Sequence, residues 1–279
     1  MRRKDFCFRL PTGGTDELAM LFGAFNRAMA HLADMEIAAV VQQRIFPAGP
    51  LDAGPFRISG RNQMSQSTGG DYYDYFSLKD GRVVVAFGDV TGHGISAALV
   101  TAIAKATLAI LSPRMPDRPD EVLRQLNSLF LDCLDRKRAM TLALGVLDPG
   151  RGSIKLAIAG QCAPLLVTRG KAAEFLKVGS YPVGVSRKAR VDVHEIDLPE
   201  ASGLVMYSDG LIEAVNEKDQ QFGFERFSEV VIQALENPNE DFGDQVFESV
   251  RRFTGSVPWM DDASLLIIKP YQLNNSGEE

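Results

Sequence analysis

The feature that most constrains the fold is the order of the apolar runs. Strand-like runs fall at residues 56–60, 73–77, 83–87, 141–147, 153–159, 164–167, 191–197, 203–207 and 263–268. Helical patterns at 95–111, 119–134, 225–235 and 242–253 come in two pairs and do not alternate with the strands. A parallel sheet needs a crossover, usually a helix, between successive strands. Clustered strands with paired helices therefore predict an α+β protein, a two-sheet β-sandwich flanked by helices, over a doubly wound parallel sheet.

Ahead of the first strand the pattern differs. Residues 16–46 contain no proline before the end of the run, and Leu18, Leu21, Phe22, Phe25, Met29 and Leu32 fall at helical spacing on one stripe, with Thr15 as a cap. After Leu32 the stripe shifts to Ile37, Val41, Arg44 and Ile45, a stutter of the kind that locally unwinds a coiled coil. A continuous helix here would be ~45 Å long. A lone helix of that length at a domain edge is expected to pair with a second copy, giving a homodimer; the alternative is a helix folded back on its own domain. Pro47, Gly49, Pro50 and Gly54 end it. The expected organisation is a linker helix over 1–46, a folded domain over 47–271 and a frayed tail over 272–279.

Composition narrows the partners. The chain has 279 residues, 45% hydrophobic and 24% charged, so most of it folds. With 30 Lys plus Arg against 36 Asp plus Glu the net charge is −6, which argues against a nucleic-acid or anionic-lipid coat. Cys7, Cys133 and Cys162 are odd in number and widely spaced, with neither zinc-site nor disulfide spacing, so a reducing cytoplasm is the expected compartment. Met1-Arg-Arg-Lys-Asp is not followed by the apolar core of a signal peptide. The apolar run 95–111 is short for a membrane span of ~20 residues and carries Lys105, so it is expected to be a helix buried in the domain. Membrane attachment is expected only if the chain is part of a larger receptor.

Four acidic motifs stand at strand ends or turns: Gly69-Gly70-Asp71-Tyr72-Tyr73-Asp74, Gly88-Asp89-Val90-Thr91-Gly92-His93-Gly94, Ser208-Asp209-Gly210 and Asp261-Asp262. Any one alone is ordinary turn chemistry. Together they pose a problem, because an ionised carboxylate at the edge of an apolar core is costly unless it is paired or binds a cation. Few basic residues lie near them in sequence. Mg²⁺ or Mn²⁺ prefers oxygen ligands and retains water, so scattered aspartates without a histidine cage suit it. Two such ions ~3.5–4 Å apart can acidify a shared water and clamp an in-line phosphoryl displacement.

In order and spacing these motifs resemble the SpoIIE-type, RsbU-like branch of the type 2C metal-dependent protein phosphatases. GGDYYDYF, FGDVTGHGISAAL, MYSDGLIEAVN and DDASLLII carry the resemblance, with TLALGVLD, AGQCAPLLV, VGSYPVGV and FGFERF between them, over about residues 56–269. It implies a serine/threonine phosphoprotein phosphatase of bacterial signalling that binds two Mn²⁺ or Mg²⁺ ions and attacks phosphate with a metal-bridging water. Asp89 would bridge both ions with the Val90 carbonyl as a further ligand, Asp71 would hold one ion, and Asp209 and Asp261 the other. Asp71 and Asp89 are thus the expected catalytic pair, while Asp262 usually orients. The implied substrate is a phosphorylated STAS-domain anti-sigma-factor antagonist. His93 is either a general acid or a turn residue. The common Ala-Gly-His-x-Pro stretch reads Ala159-Gly160-Gln161-Cys162-Ala163-Pro164 here, so any role of that histidine is lost, and Cys162 is expected to be a small buried residue. Thr15-Asp16-Glu17-Leu18-Ala19 with Ala24-Phe25-Asn26-Arg27-Ala28-Met29 is similar to the second helix of a HAMP relay domain. The alternatives are a catalytically inactive dimeric module that binds a phosphoprotein, and a GGDEF-type cyclase. The cyclase is disfavoured because Tyr72 and Tyr73 replace its acidic-aromatic pair.

Overall fold

The computed structural model describes residues 8–11, 13, 17–65, 69–92, 94–134, 138–168, 173–198, 202–237 and 241–271. Cys7, Thr15, Asp16, His93 and the tail 272–279 lie outside the described residues. Helix α1 (Glu17–Gln43) is followed by β1 (Leu51–Ala53), β2 (Phe56–Gln63), β3 (Asp71–Ser77) and β4 (Val83–Val90). A helical pair, α2 (Ile95–Leu111) and α3 (Pro119–Cys133), precedes β5 (Met140–Asp148), β6 (Ser153–Ala159), β7 (Leu165–Thr168), β8 (Glu174–Phe175), β9 (Asp192–Asp197) and β10 (Ser202–Tyr207). The one-turn α4 (Asp209–Ile212), then α5 (Gly223–Glu236), α6 (Phe242–Thr254) and β11 (Ala263–Pro270) complete the order.

Two antiparallel sheets result, β1-β2-β11-β10-β7-β8 and β3-β4-β5-β6-β9. Each central strand is buried on both faces, because the sheets face one another and each carries a helical pair outside. Along β4, Val83, Val85 and Phe87 enter the core between the sheets, while Val84 and Ala86 pack under α2 and α3 with Val100, Leu108, Leu126 and Phe130. In the other sheet Leu204, Met206, Leu266 and Ile268 point inward, and Val205, Tyr207, Leu265 and Ile267 pack against Phe227, Val231, Val246 and Phe247 of α5 and α6. Two-sided burial explains why these strands read as continuous apolar runs and not as alternating ones. Each fully buried Leu, Ile or Phe side chain contributes roughly 1.5–3 kcal/mol.

Two expectations need adjustment. Helix α2 is not sheathed: Ala97, Val100, Ala104 and Leu108 face the sheet, whereas Leu99, Ile103 and Ile110 are exposed. Its lysine is also employed, since Lys105 Nζ donates to the Ile45 carbonyl at 2.7 Å and to Asp74 Oδ2 at 2.7 Å. That pair ties the end of the α1 segment to β3 and α2. Strands β1 and β8 and the short α4 had no counterpart in the sequence pattern, because three, two and four residues are too few to show a period.

Helix α1 runs without interruption through the position of the stutter. Leu18, Leu21, Phe25 and Leu32 of its stripe are exposed, as is Met20 beside it. The first described residues lie along it, with Asn26 exchanging two 2.8 Å hydrogen bonds with the Leu10 backbone and Phe8 set edge-on to Phe25.

Candidate metal and phosphate site

Antiparallel pairing of β3 with β4 sets Asp71 directly opposite Asp89. From the other sheet, pairing of β10 with β11 brings the segment after Tyr207 beside the segment before Leu265, and the Ser208 amide donates to the Ser264 carbonyl at 3.1 Å. Asp209 opens α4 immediately after β10, and Asp261 and Asp262 immediately precede β11. Two carboxylates from each sheet, Asp71 and Asp89 with Asp209 and Asp261, therefore stand toward one end of the sandwich, near enough for Asp89 to feel the charges of Asp209 and Asp261. Asp74 is not among them: it turns toward α2, where Lys105, the Tyr72 hydroxyl and the Tyr75 amide hold it.

The electrostatics are those of acids crowded without counter-charge. Asp71 is 2% exposed, and its pKa lies well above the usual carboxylate range, first from burial and then from the Asp89 charge; hydrogen bonds to Asp71, including one from the Ser208 hydroxyl at 2.8 Å, oppose this. Burial, followed by the charges of Asp209, Asp261 and Asp262, pushes Asp89 up to about 7. Asp209 is raised by burial and by Asp261. Among the described residues no lysine or arginine forms a salt bridge with Asp71, Asp89, Asp209 or Asp261.

The backbone is shaped to let these groups approach. A Cβ on Gly70 would collide with the Asp89 carboxylate and the Val90 carbonyl, and one on Gly69 with the Asp262 carboxylate. Asp262 is occupied in holding this turn, accepting from the Ser65 amide at 2.8 Å, the Ser65 hydroxyl at 3.1 Å and the Gly70 amide at 3.1 Å. Gly92 and Gly94, at φ +86° and +85°, take the chain from β4 into α2 through backbone that side chains disfavour. Thr91 is clamped there, its amide donating to the Ala139 carbonyl at 2.9 Å and its hydroxyl accepting from the Ala139 amide at 3.1 Å, and Arg138 reaches the Thr91 carbonyl at 3.0 Å and the Ser96 hydroxyl at 2.7 Å.

Hard oxygen donors that repel one another, ranging from the buried Asp71 through the half-buried Asp89 and Asp209 to the exposed Asp261, are a donor set that suits a divalent cation. Among the described residues no three acid, histidine or cysteine side chains stand close enough to enclose an ion unaided. Water would complete any coordination shell, as Mg²⁺ prefers. Cys162, half-buried, lies within the field of Asp209, Asp71 and Asp89; burial and those charges push its thiol up to about 12, which makes it a poor nucleophile. Ser208 and Thr141 are structural participants that the sequence pattern did not single out; Gln161 was marked only as standing where the family stretch has histidine, with no role of its own. Ser208 stood inside a quoted motif, and only its hydrogen bond across the sandwich reveals its part.

Six- and five-stranded antiparallel sheets packed between helical pairs, with carboxylates gathered at one end, define the PP2C phosphatase fold, and solved structures share it. The SiaA-PP2C domain of Pseudomonas aeruginosa superposes with a TM-score of 0.74 at 21% identity, covering 88% of this chain and 99% of that one. RsbX, solved in complex with magnesium, superposes with a TM-score of 0.59 at 12% identity over 80% and 98% of the two chains. The chain belongs to the family described as Stage II sporulation protein E (SpoIIE), which matches residues 79–271. Two curated relatives, both from Bacillus subtilis (strain 168), are the phosphoserine phosphatase RsbU, 28% identical over 66% of this chain and 55% of its own length, and the phosphoserine phosphatase RsbP, 25% identical over 64% and 45%. The chain spans about half the length of the curated relatives it matches.

Proposed function

We propose that the chain is a divalent-metal-dependent phosphatase that hydrolyses phosphoserine or phosphothreonine on a bacterial signalling protein. The observation that carries this reading is the meeting of carboxylates from both sheets, Asp71 buried and Asp89 and Asp209 half-buried, with no lysine or arginine among the described residues in a salt bridge to them. Membership of the SpoIIE family and likeness to two phosphoserine phosphatases support it.

In this reading Asp89 would serve both of two ions, Mn²⁺ or Mg²⁺, with the Val90 carbonyl as a further ligand, Asp71 would hold one ion, and Asp209 and Asp261 the other. The ions supply positive charge opposite the phosphoryl oxygens and acidify water at neutral pH. The protein's own part is to keep the carboxylates ionised and aimed. The Ser208 hydroxyl bonds the Asp71 carboxylate and so favours its charged form. Asp262 holds the Gly69-Gly70 turn against Asp89 and Val90 and leaves that side of the site to backbone. Asp71 and Asp89 would hold the ions beside the phosphoryl group and not contact it themselves, and no side chain serves as a covalent acceptor.

The substrate we propose is a phosphorylated STAS-domain anti-sigma-factor antagonist, and the compartment the cytoplasm, where the free thiols of Cys133 and Cys162 are at home. The exposed stripe of α1 supports pairing of two chains through that helix, with 1–46 as linker and 47–271 as catalytic domain. The test is turnover of a phosphoserine-bearing STAS protein against a generic aryl phosphate by the purified chain. Metal-dependent release of phosphate from both, faster from the protein, is expected. Hydrolysis of neither by folded chain would leave a binding module in place of an enzyme.

A further inference from the structure

Behind the carboxylates a buried amide joins the two sheets. Gln161, 4% exposed, follows β6 by two residues. Its Nε2 donates to the Tyr207 carbonyl at 3.1 Å, and its Oε1 accepts from the Thr141 hydroxyl at 2.6 Å. Thr141 Oγ1 in turn accepts from the Asp89 amide at 3.1 Å. The direction of this chain is forced. A carbonyl only accepts, so the NH₂ end of Gln161 must face Tyr207 and its oxygen must face Thr141. The Thr141 proton is then spent on Gln161 in preference to the Asp89 carbonyl at 3.4 Å, and its lone pairs are left for the Asp89 N–H.

The two ends of this relay are the backbones that carry the site. Asp89 belongs to β4 in one sheet, while Tyr207 ends β10 in the other, two residues before Asp209 and next to Ser208, which bonds Asp71. Asp89 and Asp209 repel one another, and apolar packing between sheets is non-directional, so packing alone sets their separation loosely. A buried amide bonded at both its ends is directional, and its partners would be left unsatisfied if the sheets slid.

We propose that Gln161 is a positioning residue for the phosphatase site: one amide fixes the Asp89 strand against the Asp209 strand and so sets the spacing at which the carboxylates take up a divalent ion. This rests on the phosphatase reading above. Partners of this kind behind metal ligands typically change metal affinity or activity ~10–100-fold when removed.

The test uses the full chain, stripped with chelator, and three variants. Gln161→Leu keeps approximate volume and removes both hydrogen bonds. Gln161→His restores a donor and an acceptor on one side chain. Ile154→Ala opens a hole between the sheets near the start of β6, at the opposite end of that strand from Gln161, and serves as a stability control. Mn²⁺ binding is measured by calorimetry and aryl-phosphate turnover by steady-state kinetics, each beside the melting temperature. Gln161→Leu is expected to bind Mn²⁺ at least ~10-fold more weakly and to lose kcat with little change in KM. Gln161→His should recover most of both, and Ile154→Ala should keep wild-type Mn²⁺ affinity despite a lower melting temperature. Wild-type Mn²⁺ affinity and kcat in Gln161→Leu would overturn the proposal, as would an equal loss of affinity in Ile154→Ala. A wild-type chain that binds no Mn²⁺ would instead overturn the phosphatase reading itself.

Discussion

Asp89 faces Asp71 across β3 and β4 and feels the charges of Asp209, Asp261 and Asp262, so its replacement has two opposite consequences. Asp89→Asn removes the charge expected to hold both ions and should lower turnover on the order of 10³-fold, as loss of a principal electrostatic element does. The same change relieves repulsion among buried acids and should raise the melting temperature of the chelated protein, a trade between stability and activity that calorimetry in chelator would detect. The sign of the pH dependence follows from the same residue. Its folded pKa of about 7 exceeds the unfolded 3.8, so its contribution to metal-free stability is fully present below 3.8 and lost as pH rises through 7; the raised Asp71 and Asp209 act in the same direction. In chelator the urea midpoint should fall between about pH 5.5 and pH 8, and added Mn²⁺ should cancel the fall. The four acidic motifs stood out in the sequence because their order and spacing resemble the blocks of the SpoIIE-type phosphatases, whereas any one alone is ordinary turn chemistry. The bonds of Thr141, Gln161 and Ser208 were not legible, since they join residues 20, 46 and 137 positions apart, and local sequence gives no sign of such links.

Two elements meet the catalytic sheet at the Lys105–Asp74 pair. Asp74 is nearly buried and is held by Lys105, Tyr72 and the Tyr75 amide, while Lys105 also bonds the Ile45 carbonyl just beyond α1. Lys105→Met leaves that carboxylate without its cation and should cost ~3 kcal/mol, the low end for a broken buried pair, because the lysine is a third exposed. Adding Asp74→Asn should recover part of the loss, a coupling that a double-mutant cycle measures. The long helix was legible because thirty residues without a break show a period clearly; its stutter does not interrupt it. Deleting residues 1–36 removes most of the exposed stripe and should turn a dimer into a monomer in light scattering, with a larger change in turnover of a protein substrate than of an aryl phosphate. A full chain that is monomeric at tens of micromolar would remove the dimer reading and leave the site untouched.

At the scale of the whole molecule, the sandwich was legible as a class because two-sided burial writes long apolar runs into the strands and because the helices come in pairs. Strand order was not: β11, last in the chain, lies between β2 and β10, and nothing local to residues 263–270 says so. That return of the chain sets Asp261 and Asp262 beside the segment after β10, and through it the candidate site gains acids from both sheets. The molecule is thus two sheets that bring mutually repelling acids to one end of the sandwich, the arrangement on which the proposed cation site rests. The most direct test is aryl-phosphate hydrolysis by the purified chain, first in chelator and then across a Mn²⁺ titration, with Asp89→Asn alongside. No turnover in chelator, recovery with Mn²⁺ or Mg²⁺ in the wild type and no recovery in folded Asp89→Asn is the expected result. Turnover that survives chelation, or near-normal turnover in folded Asp89→Asn, would contradict the account.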